Sequence, residues 1–228
     1  MKIFSSIILS LLFFSSGYSQ SNFAVGVNAG LSLPVGQLTE FYQSGYSANG
    51  QFMYNISDQF MAILTVGYSK WDVDQDALNK KLEDQGKTFR LDIDSQFRII
   101  PLYIGARYYL TKGKHRPFLS FDFGIYSYEF KLTGNIVNTI QGADIPRIPI
   151  PDQKETGTES TLAIGLGYFY KLSKHWYLEI HSKYNVITNA FSINEPDQIY
   201  DPEDSSSIYG FKGELAFFTF MAGIDYRF

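Results

Sequence analysis

From Phe23 to Leu33 the odd positions are Phe, Val, Val, Ala, Leu and Leu, and the even ones are Ala24, Gly26, Asn28, Gly30 and Ser32. A period of two sends successive side chains to opposite faces of a pleated strand, one face apolar and the other small or polar. Seven further stretches alternate in this way, some more weakly: Tyr46 to Asn55, Phe60 to Trp71, Phe97 to Tyr109, Phe118 to Phe130, Ser160 to Lys171, Trp176 to Val186 and Lys212 to Phe228. The connections alternate in length. Ile56 to Gln59, Leu110 to Pro117 and Leu172 to His175 are short, whereas Pro34 to Gly45, Asp72 to Gln96, Lys131 to Glu159 and Ile187 to Phe211 are long. The pattern predicts an all-β fold, an eight-stranded antiparallel up-and-down barrel whose even strand count returns the C-terminus to the side of the N-terminus.

Periodicity leaves open which face is inside, because a soluble lipocalin-like barrel has eight such strands with apolar residues inward. Three features point to lipid outside. Gly, Ser and Asn line the polar face, as the cramped interior of a small barrel requires. Aromatics gather near strand ends (Tyr46, Tyr68, Trp71, Tyr108, Tyr109, Tyr168, Tyr170, Trp176, Tyr226, Phe228), as lipid-interface girdles do. The sequence also closes on an apolar-face residue, Phe228. The expectation is a transmembrane β-barrel in the cell outer membrane, with N and C termini periplasmic.

The start of the chain fits that destination. Residues 1–19 read as a cleaved signal peptide: Lys2, an apolar core from Ile3 to Phe14, then Gly17 and Ser19 at −3 and −1, with cleavage near Ser19/Gln20. Residues 20–228 are then a single barrel domain. The apolar core falls short of the ~20 residues a spanning helix needs, and no later run reaches that length. Only strands then satisfy every backbone group in lipid. The 17 Tyr and 20 Phe suit pleated, half-lipid-facing surfaces. A formal charge of −4, becoming −5 without Lys2, offers no basic field for nucleic acid. The absence of Cys excludes disulfides, thiolate metal sites and a cysteine-linked lipid anchor.

The closing GIDYRF resembles the C-terminal assembly signal of outer-membrane barrels, with Gly223 followed by Tyr226 and Phe228 as anchors at the periplasmic interface. Together with FAVGVNAGLSLP from Phe23 and IIPLYIGARYYL from Ile99, it makes the mature chain resemble the outer membrane protein β-barrel domain family. That family includes porin-family and PorT-like small barrels of Bacteroidota, with OmpA-, OmpX- and OmpW-like architecture. Its pattern is one of architecture and hosts several roles, so the resemblance carries no catalytic residues and no cofactor. No peptidoglycan-binding domain is expected after the barrel. The expected partners are outer-membrane lipid and lipopolysaccharide, the barrel assembly machinery during insertion, and other envelope proteins.

On faces assigned inward, Arg107, Asp122, Glu179, His181, Lys183, Asp225 and Arg227 form a nearly balanced set of charges. A lumen only wide enough for side chains is expected to pair them into a plug, since an unpaired buried charge is costly. His115 and His175 fall in short turns beside Lys112, Lys114, Arg116, Lys171 and Lys174, and Ser182 lies on the face opposite His181. No base and nucleophile of a lipid A-modifying enzyme is brought together that way. Asp72, Asp74, Asp76 and Glu83 match positions one, three, five and twelve of a calcium loop, but Ala77 replaces its glycine and Lys80 a ligand. The favoured alternative is a helix from Ala77 to Gln85, capped by Asp76 and ended by Gly86, with no metal. The acidic run Glu195, Asp197, Asp201, Glu203 and Asp204 reads as solvated loop, and PRIPIP from Pro146 to Pro151 as a stiff surface segment. The expected function is non-enzymatic: a structural, adhesive or complex-subunit role through the outer loops. The alternative is a narrow channel for small or hydrophobic solutes, and a lipid A-modifying enzyme comes third.

Overall fold

The structure is a computed structural model describing residues 22–84, 86–138, 147–187 and 215–228. The leader, the acidic run and Pro146 lie outside the described residues. Strands β1 (Phe23–Val35), β2 (Gly45–Asn55), β3 (Phe60–Asp72), β4 (Phe89–Tyr109), β5 (His115–Asn138), β6 (Ile148–Lys171), β7 (Trp176–Ile187) and β8 (Leu215–Arg227) form a closed antiparallel barrel in chain order. Closure is made by β1 on β8, in register from Ala24↔Arg227 to Val35↔Ala216. A helix, α1 (Gln75–Asp84), lies between β3 and β4. Short turns connect strands at the end that carries the termini, and the opposite rim is the long-loop end.

In the half nearer the termini the apolar face points out. Val27, Ile104 and Leu166 are 67%, 70% and 63% exposed, whereas Asn28, Arg107 and Asp122 are buried inside. Such a continuous apolar belt requires lipid as its cover and excludes the soluble alternative. Toward the long-loop end the polarity inverts while the pleat continues. In β4, Ile100, Leu102 and Ile104 point out, but a few residues upstream Leu91, Ile93 and Phe97 are buried and Arg90, Asp92 and Asp94 are exposed. In β5, Phe121, Phe123 and Ile125 point out, whereas Tyr126, Phe130 and Leu132 point in. Water replaces lipid outside at that level, and an apolar cluster fills the inside.

This inversion corrects the expected strand lengths. β4, β5 and β6 run for 21, 24 and 24 residues, so most of Asp72 to Gln96 and Lys131 to Glu159 is helix and strand rather than loop. A search for one continuous apolar-out pattern loses each strand where its phase flips. Among the described residues these three strands reach farthest beyond the belt, as a flap.

The flap has two edges, and each is blunted. The β3–β4 ladder ends at Asp72↔Gln96, leaving Phe89–Ser95 without a strand on that side. Two side chains one helical turn apart on α1 replace the strand. Asn79 donates to the Leu91 carbonyl at 3.0 Å and accepts from the Leu91 N–H at 2.8 Å, while Gln75 donates to the Leu91 carbonyl at 2.8 Å and accepts from the Ile93 N–H at 3.2 Å. On the other side, among the described residues, β6 pairs with β7 only from Thr161 onward, and its outer part carries Pro149 and Pro151, which have no N–H to offer. Replacing Asn79 by Ala is expected to cost about 1–3 kcal/mol locally, because the Leu91 amide loses its acceptor while the Leu91 carbonyl keeps only Gln75. Hydrogen exchange will show it as faster exchange at Leu91, with β7 and β8 unchanged.

The cap of α1 is also corrected. Asp74 rather than Asp76 accepts the Ala77 N–H, at 3.0 Å. Gly86, at φ 72°, ends the helix as expected, with bonds from the Gly86 N–H to the Glu83 carbonyl and from the Lys87 N–H to the Leu82 carbonyl. These are the two bonds of a Schellman stop.

Candidate functional site

The lumen is filled in three storeys. At the terminal end Met53, Met61, Ile63, Tyr109, Phe118, Phe169 and Tyr177 form an apolar floor. At the long-loop end Trp71, Phe97, Tyr126 and Phe217 pack with Leu38 from the turn after β1 and Leu78 from α1 into a larger apolar cap. Between them lies a polar layer, with a cavity of about 30 Å³ near Lys183 and Asn185. That is room for about a single water.

Trp71 and Tyr109 were expected in the lipid-interface girdle. Both point inward, 1% and 0% exposed. Trp71 donates from Nε1 to the Ser32 carbonyl at 3.2 Å and meets Phe97 and Phe217 at ring distances of 5.6 and 5.0 Å. An aromatic near a strand end serves either side of the wall, and only strand phase separates the two.

The polar layer brings together six of the seven charges assigned inward. Arg107 grips Glu179 with both guanidinium branches, Nη1 to Oε2 at 2.8 Å and Nη2 to Oε1 at 2.6 Å, and Nη2 also donates to Gln51 Oε1 at 2.8 Å. Its guanidinium lies 4.6 Å from the centroid of the Phe118 ring. His181 Nδ1 is 2.5 Å from Glu179 Oε1, and Lys183 Nζ is 2.8 Å from Asp122 Oδ2. Asp225 is fully buried within electrostatic reach of Glu179 and Arg107 and makes no ion pair among the described residues. Two fixed cations thus share the layer with three carboxyl groups and His181. The bidentate grip is a geometry that a guanidinium makes and an ammonium does not.

The charges fit because the facing strand gives way. In register, Asp225 faces Gly26, Asp122 faces Gly105, Glu179 faces Gly223, His181 faces Gly167 and Lys183 faces Gly165. A Cβ on Gly26 would overlap the Asp225 carboxylate, one on Gly105 that of Asp122, and one on Gly165 would come within 2.7 Å of Lys183 Cγ. Gly50, by contrast, has nothing within 4 Å of such a Cβ. We expect Gly105→Val to cost about 1–3 kcal/mol or more through overpacking, and Gly50→Ala to be silent. Urea titration of the barrel refolded into vesicles separates them.

The seventh charge, Arg227, stands apart at the terminal mouth. It donates to Asn55 Oδ1 at 3.0 Å and lies over the Tyr177 ring at 4.9 Å. It borders a vestibule of about 770 Å³ shared with Lys112, Arg116, Lys171 and Lys174. In the closing segment Gly223 points into the lumen, and Tyr226 meets Trp176 and Phe228 edge-on at 5.1 and 5.3 Å. His115 contacts Tyr168 Oη, and His175 Nδ1 lies 2.8 Å from the Arg227 carbonyl oxygen. Of the calcium-loop acids, Asp72 pairs with Lys70 at 2.9 Å and Asp74 caps α1. Among the described residues no three His, Asp or Glu converge to hold a metal.

Two partners were missed in the sequence. Gln51 completes the Arg107 shell, and Asn185 accepts from Tyr103 and Tyr126 at 3.0 and 3.3 Å while donating to the Phe217 carbonyl at 3.3 Å. Their shared inward phase with the charges was the available signal.

Solved structures with a similar arrangement include Neisserial surface protein A, at 15% identity over 91% of this chain and 98% of that one, with a TM-score of 0.49. The attachment invasion locus protein Ail of Yersinia pestis matches at 12% identity over 91% and 99%, with a TM-score of 0.48. A major outer membrane protein of Thermus thermophilus matches at 13% identity over 90% and 99%, with a TM-score of 0.46. No curated protein sequence matches the chain. A family match spans residues 6–228, and with it the inward charges, the outward apolar belt and the eight-strand closure have a common setting: the chain belongs to the outer membrane protein beta-barrel domain family.

Proposed function

We propose that this protein acts by contact at the cell surface, as an adhesive, structural or complex-forming barrel, and neither conducts nor catalyses. The supporting observation is a filled lumen beneath a projecting flap. Floor, charge layer and cap fill the lumen with buried side chains, while β4, β5 and β6 extend far past the lipid boundary. A barrel built only to close would have no need of such extensions. In this reading the flap faces outward and the termini face the periplasm. His181, held against Glu179 inside the wall, supports the absence of catalysis.

Planar-bilayer recording tests the reading, and a folded barrel giving no steady current is the expected result. Sustained single-channel conductance would overturn it in favour of a solute channel. The chain has no cysteine, so orientation is read cleanly from single replacements. Asp152→Cys on the flap should react with a membrane-impermeant maleimide in intact cells, and Lys112→Cys in a short turn only after the membrane is opened.

A further inference from the structure

Just beyond the phase inversion, the outer wall carries a cluster that neither the lumen nor the flap edges explain. Lys70, Arg98, Glu129 and Thr156 lie side by side on β3, β4, β5 and β6, by the pairs Lys70↔Arg98, Arg98↔Glu129 and Glu129↔Thr156. Lys131 and Lys154 face each other one step farther from the lipid belt. All share the outward phase of Ile100, Ile125 and Leu162. Glu129 receives Arg98, Lys154 at 3.1 Å and Lys131 at 3.4 Å, and Asp72 receives Lys70. Lys154 foremost, with Lys131 and Arg98, holds the Glu129 carboxyl below its ordinary range, so the acid stays ionised. Four cations against two carboxylates still leave two positive charges in excess.

Arg98, Glu129 and Thr156 of this cluster also line a groove of about 460 Å³ that indents the wall on its lipid side, with Tyr68 and Ile100 among its apolar lining and Ser127 and Thr158 offering hydroxyls. It coincides with a break in the sheet. The β3–β4 ladder runs from Val66↔Leu102 to Ser69↔Ile99 without pairing Gly67 or Tyr68, where Pro101 has no N–H to give. The groove therefore opens downward onto the apolar belt and upward onto surplus positive charge.

We infer that this wall binds the phosphate group of a lipid A-type molecule in the outer leaflet, with an acyl chain along Tyr68 and Ile100. Charge complementarity and continuity with the lipid belt select that occupant. Lys and Arg are the phosphate-binding side chains, their stems lie along apolar surface, and the hydroxyls add neutral donors. The inference rests on the proposed orientation, since only an outward flap puts the cluster at the outer leaflet. Binding in micelles does not depend on orientation, so its failure would bear on the cluster alone.

The test titrates the purified barrel in detergent micelles with bis-phosphorylated lipid A and with the same lipid after phosphatase treatment, read by native mass spectrometry. The phosphorylated lipid should bind about thirtyfold more tightly, and K131Q/K154Q should lose about that factor, as two cations near an anionic lipid surface would supply. K112Q/K174Q, at the terminal mouth, should bind as the parent does. Both variants sit at exposed positions, and heat-modifiable gel mobility confirms their folding. Equal affinity for the two lipids, or an unchanged K131Q/K154Q, would overturn the site. Displacement by inorganic phosphate would overturn its assignment to a lipid and make it a site for a free anion.

Discussion

Arg107→Met is expected to destabilise the barrel by about 3–5 kcal/mol, the cost of stranding a buried carboxylate. Both partners are fully buried, and Arg107 supplies two of the short contacts to Glu179. Among the described residues His181 would then be the one basic group left on that carboxylate, at one oxygen. Removing both ends of the pair with R107M/E179L should recover most of the loss, because two packed apolar side chains need no compensation. Arg107→Lys should fall between, keeping the charge but losing the fork and its hold on Gln51. The measurement is urea unfolding from lipid vesicles followed by the fluorescence of Trp71 and Trp176, with gel mobility confirming the folded fraction. A loss below about 1 kcal/mol for R107M would mean that the lumen is wet enough to solvate Glu179, contrary to the plugged barrel.

How far the sequence could be read depended on what lay outside each strand. Where lipid is outside, apolar-out alternation reached across Val25, Val27 and Leu31 in β1 and across Leu178 and Ile180 in β7, and the strands appeared nearly in full. The same rule failed in β4 above Ile99, because water had replaced lipid outside and Leu91 and Ile93 had turned into the cap. Alternation itself persisted there. Only the identity of the buried face had changed, and a window tuned to one phase took Asp72 to Gln96 for a loop. The inward charges were legible because few other places in a small barrel accept Glu179 and Lys183 on one strand face. Their pairing was not, since the Arg107–Glu179 contact joins β4 to β7 across the lumen and no local spacing reports it. The glycines facing Asp122 and Asp225 were equally hidden, because register between strands precedes any statement about what lies opposite.

The two tryptophans make that distinction measurable. Trp71→Ala should cost about 3–5 kcal/mol, the range for deleting a fully buried large aromatic. It would leave a void between Phe97 and Phe217 and take away the donor to the Ser32 carbonyl. Trp176→Ala should cost about 1 kcal/mol, near the worth of its single edge-on aromatic pair with Tyr226. It is 49% exposed at the opposite end of the barrel, so lipid fills the space it vacates. In each variant the remaining tryptophan reports unfolding, and the two urea midpoints are compared in the same vesicles. If Trp176→Ala proved the costlier, Trp71 would belong to the girdle and the cap would not seal the lumen. If Trp71→Ala is the costlier but still folds, the cavity it opens lies in the cap above the charge layer, so current should remain absent, because the charge layer and the apolar floor below it still fill the lumen.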